Sequence, residues 1–240
     1  MPDADAFRAL ARSSPWRWST LRFTLRGHAQ GPVRAWLRRP DVVRVETLDG
    51  TLLQVVREPP QQVAVLGPSG GSAVANPWPA DAPPPVLRPD GLVAERPADV
   101  SYDAPMYQSY SWVAVLDPAE LADGRDHETG LPAGPPLVVD AVTEVEHAGR
   151  PAWEAVVGTT PLYEPRCGCC SLLRSRIIDR FEWGEDAFAD AVYPTRYRVR
   201  LDRQTGVCVA TEALDGTWAG SGHDLRIEAV DEPMDDALFT

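Results

Sequence analysis

The sequence predicts a mainly β chain of the α+β class: an antiparallel sheet with one apolar face and a helical cover. Three observations predict it. Residues 196–202 alternate strictly, with Tyr197, Val199 and Leu201 on one side and Arg196, Arg198, Arg200 and Asp202 on the other. A period of two marks a strand with one wet and one buried face. Turn signals, among them Arg39-Pro40-Asp41, Asp49-Gly50 and Asp202-Arg203-Gln204-Thr205-Gly206, recur between runs of this kind. Three other stretches place apolar residues at helical spacing, and a sheet with one apolar face needs such a cover.

Residues 4–13 form a short helix with Phe7, Leu10 and Ala11 on one face, ended by Ser14-Pro15. Residues 16–27 are a strand with Leu21, Phe23 and Leu25 on one face and Trp18, Arg22 and Arg26 on the other. Strands at 33–38, 42–47, 52–57 and 62–66 continue the sheet, with Asp49-Gly50 as the strongest hairpin signal. Residues 67–97 break the pattern. Gly67-Pro68-Ser69-Gly70-Gly71, Asn76-Pro77-Trp78-Pro79 and Pro83-Pro84-Pro85 cannot propagate a helix or a central strand, so a long extended loop pinned by Trp78 is expected. Residues 104–122 read as helical, with Asp117 as N-cap of the final turn, Pro118 at N1, Glu120 at N3 and Gly124 past the end. Strands follow at 137–146 and 151–158 around Ala148-Gly149. Within 161–190 the residues Cys170, Leu173, Ile177 and Phe181 recur at helical spacing, which predicts a helix. A meander of strands at 196–202, 207–213 and 224–230 closes the chain, and Leu238-Phe239 docks back on it. No Gly/Ser linker divides the chain. We expect one domain over 1–240, with a Pro-rich loop insertion at 67–97 and a Cys-containing helical insertion at 161–190.

The 240 residues suffice for one good core. A net charge of -12 argues against nucleic acid and against an anionic membrane surface as partners. All basic side chains other than His are Arg, the codon bias of a GC-rich genome. The acidic start lacks a basic n-region and an apolar h-region, which argues against a signal peptide, and no run approaches the ~20 apolar residues of a membrane span. The expected location is cytoplasmic. Four cysteines in such a chain are thiols or metal ligands before they are a disulfide framework.

Four motifs sit on this order of elements: Trp16-Arg17-Trp18, Arg44-Val45-Glu46-Thr47-Leu48-Asp49-Gly50, Leu116-Asp117-Pro118-Ala119-Glu120-Leu121-Ala122-Asp123-Gly124 and Leu201-Asp202-Arg203-Gln204-Thr205-Gly206. With them the chain resembles the LolA-like superfamily, which takes in lipoprotein carriers, RseB-type N-terminal domains and LppX-type lipoproteins. The resemblance implies a curved antiparallel unclosed half β-barrel with helices covering the concave face. It further implies a non-enzymatic binding protein that holds an apolar, acyl or lipid-like ligand or a protein partner. It assigns no binding residue, because it rests on scaffold positions.

Cys167-Gly168-Cys169-Cys170, with Cys208 as a fourth thiol, is the most unusual short motif. Four thiolates suit zinc. The spacing disfavours the simple version, since structural sites separate paired cysteines by two or more residues and the adjacent Cys169 and Cys170 strain to reach one ion together. Cys167, Cys169 and Cys208 with His223 are one candidate ligand set. A redox-responsive pair near Arg166 and Arg174 is another reading, and a small-residue turn with a buried Cys170 and Cys208 a third. The alternative function is therefore a metal-binding or thiol-redox-responsive regulator. Gly67-Pro68-Ser69-Gly70-Gly71 is read as a turn and not as a nucleophile loop, because neither His28 nor His127 has a matching context. No catalytic residue is assigned. Asp231-Glu232 and Asp235-Asp236 lack calcium-loop spacing. Trp16, Trp18 and Trp36 are expected on the outer face of the sheet.

Overall fold

The computed structural model describes residues 2–27, 31–58, 62–67, 70–75, 78, 83–97 and 105–240. A first meander runs through β1 (Thr20–Arg26), β2 (Val33–Arg38), β3 (Val42–Thr47) and β4 (Leu52–Arg57). Three small ladders follow: β5 (Gln62–Gly67) with β6 (Gly70–Ala75), β7 (Val86–Leu87) with β8 (Val93–Glu95), and β9 (Gly124–Arg125) with β10 (Pro132–Gly134). A second meander comprises β11 (Leu137–His147), β12 (Arg150–Thr159), β13 (Tyr197–Asp202), β14 (Cys208–Ala213) and β15 (Gly222–Val230). The meanders join along β1 and β15, where Leu25 faces Leu225 and Phe23 faces Ile227. The result is one antiparallel sheet in the order β11-β12-β13-β14-β15-β1-β2-β3-β4, a curved half-barrel left open between its edges β11 and β4.

One face of this sheet is dry. Leu21, Phe23, Leu25, Val33, Ala35, Leu37, Val43, Val45, Val199, Leu201, Val209 and Leu225 are all buried there. The opposite face carries cross-strand ion pairs: Glu228 receives Arg22 at 3.4 Å and Arg34 at 3.3 Å, and Glu154 receives Arg200 at 2.7 Å. Alternation in the sequence thus separates apolar from charged side chains as the pleat requires.

Helices cover the dry face. In α1 (Ala4–Ser13) Asp3 caps the start, accepting from the Ala6 N–H at 2.8 Å, and Phe7 and Leu10 are buried. In α2 (Tyr110–Leu116) Trp112 packs 5.3 Å from the Phe23 ring and 5.5 Å from Tyr107. The third, α3 (Arg176–Trp183), lies beyond the cysteine turn. The turn after β13 holds Gly206 at φ +74, where a Cβ would stand 2.6 Å from the Leu10 carbonyl oxygen, so glycine lets the turn seat against α1. Phe239 is buried, with the Arg38 guanidinium 4.9 Å from its ring centroid. No helix among the described residues is long and apolar enough to cross a membrane.

The structure differs from the sequence reading at several points. The first strand begins at Thr20, because Ser14–Trp16 is a 3-10 turn. Trp18 is buried, its Nε1 donating to Ser14 Oγ and the Arg39 guanidinium lying 3.3 Å from its ring. It therefore leaves the outer face, and Trp16 and Trp36 are half-buried. β5 pairs with β6 and not with the main sheet, and β6, β7 and β8 occupy parts of the expected loop, because the prolines leave 70–75 and 93–95 free to pair. The 104–122 helix shrinks to α2 and a 3-10 turn at Ala119–Leu121. Asp117 ends α2 instead of capping the next turn, its carboxylate being taken by arginines distant in sequence. Within 161–190 only α3 is α-helical. Cys170 lies in a separate 3-10 turn, and Phe181 is 72% exposed while Leu173 and Ile178 are buried.

Candidate functional site

Two neighbouring regions carry the chemistry. The first is the cysteine turn. Cys167 is extended (φ -145, ψ 126), and the 3-10 turn Gly168–Cys170 follows, with the Cys170 N–H donating to the Cys167 carbonyl at 3.1 Å. Three residues per turn return Cys170 to the side of Cys167. Cys169 Sγ lies 3.0 Å from Cys167 Sγ and 3.4 Å from Cys170 Sγ, and all three sulfurs fall within 4.8 Å of one another. A Cβ on Gly168 would stand 2.6 Å from Glu182 Oε2, so the turn packs closely on α3. Cys169 is exposed and the other two are half-buried. Hydrogen bonds from Cys167 and then Cys170 push the Cys169 thiol up to about 12.

Cys208 stands outside this cluster. β14 turns its side chain into the core, where burial holds the thiol well above its ordinary range. His223 is engaged at both nitrogens, Nδ1 with Thr211 Oγ1 at 3.0 Å and Nε2 with the Cys208 carbonyl at 2.8 Å. The set Cys167, Cys169, Cys208 and His223 is therefore not assembled, whereas the adjacent Cys169 and Cys170 do share one cluster. Ser69 and His28 lie outside the described residues. Asp231 accepts from the Ser19 N–H at 2.6 Å and Asp236 from Arg38 at 2.6 Å, so both acidic pairs contribute to tying the chain end to the sheet.

Beside the turn opens a cleft of about 420 Å³, lined among others by Cys169, Cys170, Arg174, Tyr197, Trp218 and His223. The Arg174 guanidinium lies against two rings that touch each other, 4.4 Å from Phe188 and 4.3 Å from Trp218, while its Nε donates to Asp179 at 2.8 Å. Further along, Phe181, Trp183 (56%), Phe188 (44%) and Val192 (66%) are exposed.

The second region is a groove of about 910 Å³ between α1 and the β9–β10 ladder, lined by Arg8, Arg12, Arg96, Arg125 and Arg166 together with carboxylates. Buried Asp117 accepts from Arg96 at 3.0 Å and from Arg166 at 2.9 Å. Burial, helped by the charge of Arg96, pulls Arg166 down to about 10. Deeper in, Glu120 accepts from the Tyr163 hydroxyl and from the Leu172 N–H at 2.8 Å, and Tyr163 in turn accepts from the Leu173 N–H at 3.0 Å. Burial raises the Glu120 carboxyl to about 7 against these hydrogen bonds. This knot anchors the segment just after the cysteine turn to the 3-10 turn at Ala119–Leu121. Nothing local in the sequence marks Glu120 as buried. Its partners lie 43 and 52 residues away.

No protein-family model matches the chain, and no curated protein sequence matches it. Among solved structures the chain is similar to the crystal structure of MucB, at 17% identity with a TM-score of 0.34, over 98% of this chain and 62% of that one. The chain thus spans less than two thirds of that structure's length. A likeness this loose carries no argument about the site.

Proposed function

We propose that the chain is a non-enzymatic binding protein whose ligand is another protein, docked on the aromatic surface of α3 and the loop that follows it. The observation that carries this reading is the exposure of Phe181, Trp183, Phe188 and Val192 within one segment, 181–192. Scattered single apolar residues are ordinary on a surface, but exposed aromatic side chains concentrated in one short segment, with Phe188 against the Arg174 guanidinium, have the composition of binding hot spots. The dry face of the sheet offers less to an acyl ligand, because Phe7, Leu10, Trp112 and Leu116 already pack on it.

A photo-crosslinking residue at position 181, installed in the intact chain inside producing cells, should give an adduct of discrete mass. The same residue at Leu53, 44% exposed on the edge strand β4, should not. Equal labelling at both positions, or none at 181, overturns the reading. So does native mass spectrometry in which the purified chain carries an acyl-lipid increment that is lost on denaturation.

A further inference from the structure

We propose that Cys167, Cys169 and Cys170 form a three-thiolate site for one zinc ion, with a fourth coordination position left open towards the cleft beneath Trp218. Tetrahedral zinc at about 2.3 Å from each sulfur sets thiolates about 3.8 Å apart. Two pairs of sulfurs here, at 3.0 and 3.4 Å, lie a little inside that spacing, and all three fall within 4.8 Å of one another, compact enough to converge on one ion. Rotation of the exposed Cys169 side chain, with smaller adjustments of the half-buried Cys167 and Cys170, would set the sulfurs around the ion.

The backbone explains how such a compact motif manages this. An extended Cys-x-Cys pair would hold its side chains on one face but too far apart, and neighbouring residues in a strand point to opposite faces. The 3-10 turn at Gly168–Cys170 removes both problems, bringing Cys169 and Cys170 to the same side as Cys167. The turn is held from two directions, by α3 at Gly168 and Glu182 and by the Glu120–Leu172 hydrogen bond just downstream. Held ligands bind more tightly than ligands that must be ordered on binding.

Among the described residues no fourth Cys, His or carboxylate joins the cluster. Cys208 is sealed in the core and His223 is committed to Thr211 and the Cys208 carbonyl. Closed structural zinc sites use four protein ligands, and a site with three keeps an exchangeable position. Cys169 and Cys170 line the cleft, so that position points where water or a donor group from a bound molecule has access. The three thiols would each lose a proton to solvent on coordination.

The test uses the full chain, reduced and kept free of oxygen. Titration with cobalt(II) chloride should give thiolate-to-cobalt charge-transfer absorption that saturates at one ion per chain and is displaced by one equivalent of zinc chloride. Cys169→Ser should weaken zinc at least about tenfold and diminish the absorption. Cys208→Ser should leave affinity and absorption unchanged, and circular dichroism should confirm that both variants fold. Absence of charge-transfer absorption in the reduced chain overturns the proposal, as does saturation at one ion per two chains or affinity that Cys169→Ser does not alter.

Discussion

Over β1–β3 the dry face of the sheet meets α2, and the contact is made by rings and branched aliphatics: Phe23, Trp112, Tyr107, Leu116 and Val43. Over β11–β13 it meets α1, the 3-10 turn at Ala119–Leu121 and the 163–173 segment, and there Tyr163 and Cys208 lie within the core, with Glu120 hydrogen-bonded to Tyr163. The first half is held by buried area and dispersion, which no change of pH touches. The second adds polar ties between segments far apart in the chain, and one of them, the Glu120 carboxyl, is raised by burial to about 7. Both candidate regions, the charged groove and the cysteine turn, border the second half. Apolar packing supplies the rigid frame, and the polar half places reactive groups on it.

The comparison breaks most sharply at Trp112. Trp112→Ala should cost about 3–5 kcal/mol, the range for emptying a large aromatic site, and the loss should be the same at pH 5 and pH 8 in urea denaturation. A loss that varied strongly with pH would mean that the two halves do not differ as described.

A smaller effect should appear in the polar half. With Glu120 raised to about 7, the folded chain keeps a proton that the unfolded chain gives up near 4.5. The folded state then binds more protons between these values, so this contribution is full below about 4.5 and is lost as pH rises through 7. Between pH 5 and pH 8 the wild-type chain should lose roughly 2–4 kcal/mol relative to its Glu120→Gln variant. Identical pH profiles for the two chains would show that burial does not hold the proton.

The smallest effect belongs to the outer face. Arg34→Ala removes one of the two arginines on Glu228 and should cost about 0–1 kcal/mol, diminishing with added salt. A larger, salt-insensitive loss would make the charged face a structural partner of the dry one.

The strands of both meanders were legible because a strand with one dry face writes its burial into alternate residues, as Tyr197, Val199 and Leu201 do. Turns were legible where glycine is required, as at Gly206 with φ +74. The covering segments were harder to read. Asp117 has the local signature of a helix cap, yet Arg96 and Arg166, 21 and 49 residues away, compete for it and win. Charge-assisted bonds to a buried carboxylate outweigh a cap that water could replace. The cysteine motif was visible at once, but which sulfurs meet depended on a 3-10 turn that hydrophobic periodicity does not encode. Cys208 looked like a fourth ligand only because its burial on β14 is a property of the assembled sheet.

The seam between β1 and β15 has a consequence for how the chain comes to be folded. Its partners are about two hundred residues apart, Leu21 beside Val230 and Leu25 beside Leu225. During synthesis the first meander therefore leaves the ribosome with the β1 edge unpaired, and the residues that cover it emerge only about two hundred residues later. Non-local pairing of this kind slows folding and leaves a sticky strand edge waiting. The centre of the finished sheet is thus the place where the nascent chain is most exposed to misassociation.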